Sequence, residues 1–164
     1  MSNFGLGGPM VATPNIYKLV KGSGEGNMPL NAFDLALLNA GVGDTNLVRM
    51  SSIVPPGAEE VGDIVLPKGG LIPIAYATLS SSTPGEVLSA AIAIGIPEDP
   101  SEPGVIMEFE DFRPLSYVEA TVRQMVIDGF EYRNRKLKSV KSLGVEHTTV
   151  KNGSVFAAAV LWYK

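Results

Sequence analysis

The chain has 164 residues, the size of one ordinary domain, and is 45% apolar against 18% charged, a surplus that predicts a subunit interface. A formal net charge of -4 argues against a nucleic-acid partner, which needs a basic face to neutralise phosphate. The absence of cysteine excludes disulfides, thiol nucleophiles and Cys-based metal centres, and a lone histidine excludes a multi-His site.

Residues 1–14 are rich in Gly and Pro and read as an irregular lead-in. With neither a basic start nor a long apolar run, they predict no signal peptide and no membrane span, and a cytoplasmic protein is the simplest expectation. Asn15 to Val20 then predicts a strand, closed by a turn at Gly22-Ser23-Gly24-Glu25-Gly26. Asn31 is the expected cap of a helix beginning at Ala32, with Asp34 in its first turn, Phe33, Leu37 and Leu38 on its apolar side, and Gly41 at its end. Asn46 to Met50 predicts a strand that delivers Ser51 and Ser52 to a proline-rich turn.

Pro67 to Gly70 breaks the chain again. Ile74–Leu79 and Val87–Ile94, joined by Ser80 to Gly85, predict an antiparallel pair, and Gly104 to Phe109 a further strand. Ser116 with Glu119 three residues on has the pattern of a capping box, with Val118, Val122, Met125 and Val126 on one helical face and Gly129 as the stop. Two β-rich runs, Ser139–Val150 and Ser154–Tyr163, joined by Lys151-Asn152-Gly153, predict a hairpin. Two helices and six or seven strands in one domain give an α+β sandwich.

Few residues offer chemistry. His147 shares an alternating register with Leu143 and Val145, which favours a structural role over a catalytic one. There is no nucleophile elbow and no P-loop, and the closely spaced glycines at 22–26 and 41–43 read as turns. The cationic run Arg133 to Lys138 reads as a solvated strand edge. Glu108 lies between Met107 and Phe109, where desolvation would raise its pKa; Glu110 faces the same way, and alternation does not separate the two. The helix dipole alone accounts for Asp34, and strand entry for Asn46. The serines of RMSSIVPPG (49–57) could serve as ordinary strand-end punctuation.

Taken together, PLNAFDLALLNAGVG (29–43), NLVRMSSIVPPGAE (46–59), GEVLSAAIAIGIP (85–97), VIMEFE (105–110), VEHTTV (145–150) and FAAAVLWYK (156–164) resemble the pyruvoyl-dependent arginine decarboxylases. The resemblance implies an αββα sandwich that cuts itself between Ser51 and Ser52 into a β chain, 1–51, and an α chain, 52–164. It implies that Ser52 becomes a covalent pyruvoyl cofactor, that Asn46 assists the cut, that Glu108 is the proton donor, and that Asp34 engages the substrate guanidinium. It further implies trimers of αβ units with sites between subunits, and conversion of arginine to agmatine and CO2 in polyamine synthesis. Two other readings stand beside it: a homolog that assembles without processing, and a binding protein for arginine or agmatine that stays uncut.

Overall fold

The computed structural model describes residues 11–164, so most of the predicted lead-in lies outside the described residues; Val11 to Asn15 form neither helix nor strand. Four layers stack in the order helix, sheet, sheet, helix, as the resemblance implied. The elements are β1 (Ile16–Glu25), α1 (Pro29–Asn39), β2 (Asn46–Arg49), β3 (Ile53–Val54), β4 (Glu59–Glu60), β5 (Leu71–Ser81), β6 (Val87–Pro97), β7 (Gly104–Asp111), α2 (Leu115–Tyr132), β8 (Leu137–Thr148) and β9 (Gly153–Trp162). One sheet runs β2-β5-β9-β1-β4 and the other β3-β7-β6-β8.

Strand alternation builds the layers. In β9, Val155, Ala157, Ala159 and Leu161 point into the core between the sheets, while Phe156, Ala158 and Val160 meet α1. In β6, Leu88, Ala90, Ile92 and Ile94 face that same central core, while Ala91 and Ala93 meet α2. Both strands are covered on both faces, which is why they read as nearly unbroken apolar runs.

Both predicted antiparallel pairs are corrected. β5 pairs with β9 and β2, whereas β6 pairs with β7 and β8. Similarly, β8 lies on β6 while β9 lies between β1 and β5. Each connection crosses from one sheet to the other, so the residues joining these strands make corners of a sandwich instead of hairpin turns.

The predicted turn at Gly22 to Gly26 is likewise mostly strand, since β1 continues to Glu25. Its glycines serve packing. A Cβ on Gly22 would lie 2.7 Å from the Ala40 nitrogen, and one on Gly24 would lie 2.8 Å from Leu35 Cβ. Bare backbone lets α1 settle directly on the strand.

The helix starts also differ from expectation. α1 begins at Pro29, which suits a first-turn position because it has no N–H to leave unpaired; Asn31 and Asp34 lie within the helix. Its buried face is Ala32, Ala36 and Leu37, with Leu38 exposed. α2 begins at Leu115, leaving Ser116 inside it. No side chain of the N-cap bonds to the helix; instead the Leu115 N–H donates to Glu146 Oε1 on β8 at 2.7 Å. Glu119 accepts a hydrogen bond from the Ser142 hydroxyl. Gly129 does not end α2, which continues to Tyr132; the glycine lies where a Cβ would meet Met107.

Candidate active site

The segment Met50-Ser51-Ser52 is the crossover between the sheets, joining β2 in one to β3 in the other. It is pinned at both ends. The Met50 N–H donates to the Ile74 carbonyl at 2.9 Å in the first sheet, and the Ser52 carbonyl accepts from the Ile106 N–H at 2.9 Å in the second. Between these anchors Ser52 has φ +74°, a left-handed conformation that its Cβ makes strained. Beyond it, Ile53 and Val54 pair with Val105 and Gly104, and Gly57, also left-handed, turns the chain away.

That backbone aims the Ser52 side chain at β7. Its hydroxyl donates to Glu108, lying 3.0 Å from Oε1 and 2.9 Å from Oε2. The position of Glu108 follows from alternation: Ile106 faces the core between the sheets, and Glu108 and Glu110 continue that row toward its rim. Met107 and Phe109 pack on the opposite face, against the α2 core, so they are not what buries the carboxylates.

Burial at the rim raises the Glu108 pKa above the ordinary carboxylate value; the Ser52 hydrogen bond and the Arg49 charge oppose this, and the Glu110 charge adds to it. The Glu110 pKa is raised by burial and opposed by Arg49. Two half-buried carboxyls thus lie on one strand face, and only Glu108 holds the serine.

Ser51, Ser52, Met107, Glu108, Met125 and Arg133 border a cleft of about 240 Å³. A larger one, about 580 Å³, lies elsewhere, at Glu25, Asn27 and Lys151, and holds neither serine. Beside it the Glu25 carboxylate accepts from the N–H groups of Val150, Lys151 and Asn152 and meets His147 Nε2 at 2.7 Å. His147 is therefore a partnered residue outside the serine cleft.

Asn46 and Asp34 do not join Ser52 within the chain. The Asn46 amide donates to the Gly69 carbonyl at 2.9 Å, at the opposite end of β2 from the serines. Asp34 is exposed on α1, which covers the far face of the first sheet, whereas Glu108 belongs to the second.

Sequence reasoning missed two cations. Arg49, stacked over Tyr76 at 4.6 Å and bonded to its carbonyl, is the charge that acts on both glutamates; its place beside the double serine was the available signal. Arg133, read as part of a solvated edge, borders the cleft.

The family model for pyruvoyl-dependent arginine decarboxylase matches residues 16–164. Curated relatives include the pyruvoyl-dependent arginine decarboxylases of Methanocaldococcus jannaschii, 54% identical over 92% of both chains, and of Methanococcus maripaludis, 44% identical over the same shares. That of Pyrococcus abyssi is 37% identical over 92% of this chain and 96% of its own. Among solved structures, pyruvoyl-dependent histidine decarboxylase at pH 8 overlaps 60% of this chain and 53% of its own, at TM-score 0.49 and 16% identity, too loose a likeness to carry an argument.

Proposed function

The chain belongs to the pyruvoyl-dependent arginine decarboxylase family, and on that premise we propose that it cleaves itself between Ser51 and Ser52 and then decarboxylates L-arginine to agmatine. The observation that carries the reading is the strained Ser52 with its hydroxyl on Glu108.

In the cleavage step, Glu108 accepts the Ser52 Oγ proton as that oxygen attacks the Ser51 carbonyl carbon. The peptide C–N bond breaks as its nitrogen takes up that proton from Glu108, leaving an ester on Oγ and a free amine on Ser52. Loss of the Cα proton then expels the Ser51 carboxylate with the Cβ–O electron pair, and one water replaces the resulting nitrogen, which leaves as ammonia. Strain at φ +74° is relieved when the link opens, so part of the barrier is already met in the folded chain.

The residues at the cut fit the group they would generate: a small side chain beside a cleft, within reach of a carboxyl. The pyruvoyl group supplies an electron-withdrawing carbonyl fixed to the protein, a role that a bound aldehyde cofactor fills elsewhere. Glu108, relieved of the serine hydroxyl that lowers its pKa, holds a proton for the substrate α-carbon once CO2 has left.

Asp34 is the proposed partner of the substrate guanidinium, a planar cation that a carboxylate matches in two hydrogen bonds. Its separation from Ser52 within one chain supports a site completed by a second copy, in line with the trimer of αβ units that the resemblance implied. Asn46 is kept as the proposed helper of the cut on the same footing. Among the described residues no helix is long and apolar enough to cross a membrane. Because it acts on free arginine, we read the enzyme as cytoplasmic.

The deciding experiment is the intact mass of purified protein under denaturing conditions. Two polypeptides, one ending at Ser51 and one beginning with a carbonyl-bearing residue 52, are expected, with agmatine formed from added arginine. A chain that stays at 17.3 kDa on prolonged incubation would favour the unprocessed readings.

A further inference from the structure

Self-cleavage creates a group that the uncut chain does not contain: a carboxylate at Ser51. Nothing covalent then holds that end to the second sheet. Its remaining anchor is the Met50 N–H on Ile74, in the first. The new charge also emerges in the cleft that Arg133 borders.

We propose that Arg133 is the binding site for the Ser51 carboxylate, clamping the severed end of the β chain to helix α2. The inference rests on the cleavage reading above. Arg133 caps α2 and, among the described residues, is the only Lys or Arg bordering the cleft. One of its nitrogens, Nη1, donates to the Gly129 carbonyl at 2.8 Å. Among the described residues it has no acidic partner and makes no other side-chain hydrogen bond, so on this exposed residue the rest of the donor fork faces solvent and is open to a carboxylate. By contrast, Arg135 is committed, bonded to the Pro103 carbonyl at 2.7 Å and paired with Glu102 at 2.9 Å. A guanidinium with free, coplanar donors is matched to a carboxylate.

Substrate is a poorer occupant. The arginine side chain has the same charge as Arg133. Pairing Arg133 with the carboxylate that must leave as CO2 would favour the ground state over the transition state and slow the reaction.

The test uses the processed enzyme. Intact mass first establishes that the chain is cut, which tests the underlying reading separately. A serine-accepting carboxypeptidase is then added under native conditions and the mass of fragment 1–51 is followed. Wild type should retain Ser51, and Arg133→Ala should lose Ser51 and Met50 about fivefold faster, the scale of one partly exposed ion pair, with Arg133→Lys in between. Equal trimming of wild type and Arg133→Ala would overturn the proposal.

A helix-capping role alone is distinguished by Tm. Arg133→Ala should lower Tm more in the cut enzyme than in uncut Ser52→Ala protein, and equal losses would again overturn the clamp. Should Arg133→Ala fail to fold, trimming of wild type across a salt series replaces it: a rate that climbs with salt supports a charge pair, and a salt-independent rate refutes one.

Discussion

Ser52 and Glu108 lie 56 positions apart in sequence and meet through one hydroxyl shared between two carboxylate oxygens, at 3.0 and 2.9 Å. On the proposed cleavage reading, that relationship puts a base on the nucleophile before the cut. Glu108→Gln keeps an acceptor but loses the base, and should slow appearance of the two fragments by about 10²–10⁴-fold. Arginine turnover by the fraction that matures should fall on the same scale. Mass spectrometry over days and CO2 release check the two effects; unchanged rates of both would remove Glu108 from the chemistry.

Ser52→Ala and Ser52→Gly should both give a single uncut chain. They should differ in stability, because only glycine occupies φ +74° without a Cβ clash. The glycine variant is expected to be more stable by about 1 kcal/mol, read from urea midpoints. If alanine proved equally stable, the left-handed conformation would not be a source of strain.

Asp34→Asn should leave self-cleavage intact and raise the KM for arginine, since on the proposed reading it removes the charge that meets the substrate guanidinium, and it lies away from Ser52 within the chain. Steady-state kinetics on fully cut protein tests this. A changed cleavage rate would mean that Asp34 acts on the serine link instead.

The Glu25 cluster should dominate the acid limb of stability. Burial pushes its carboxyl up, but the His147 hydrogen bond, the backbone N–H donors of Val150 and Lys151 and the His147 charge outweigh that and hold it at about 2, against 4.5 in an unfolded chain. A lowered pKa stabilises the folded state above the unfolded value and loses that contribution as pH falls. Urea unfolding of wild type should therefore weaken between about pH 4.5 and 2, and Glu25→Gln should flatten that slope. The raised pKa values of Glu108 and Glu110 work oppositely, costing stability as pH rises above the ordinary carboxylate range.

Gly22→Ala should be among the most damaging small substitutions, because its Cβ would meet the backbone of α1 at Ala36 and Ala40. The helix must shift, at a cost of about 1–3 kcal/mol or more. A Tm near that of wild type would show that α1 is free to move.

The positions of most strands were legible because apolar runs bounded by Gly and Pro reflect backbone geometry locally. Their partners were not. The stretches after Leu79 and after Val150 carry turn chemistry that serves a corner between sheets as well as a hairpin, and only the packing of β5 on β9 and β6 on β8 decides between them. Gly22 and Gly24 misled for a related reason: glycine marks either a backbone that must turn or one that another element must approach. The start of α2 was misread because its first N–H is served by Glu146, a residue far along the chain. At the site, alternation placed Glu108 and Glu110 on one face, and only family resemblance chose between them. The crossover at Met50 to Ser52 does distinguish the two in space, since it brings the serine hydroxyl to Glu108 and leaves Glu110 without it.

The strained crossover has a consequence for supply. On the cleavage reading, the hydroxyl and peptide bond that arm the molecule are consumed in arming it, so maturation runs once and in one direction. On that reading the prosthetic group is cut from the polypeptide itself, so a poisoned copy would not be reloaded from solution. Capacity would then follow the rate at which ribosomes deliver new chains, independent of any vitamin-derived cofactor pool.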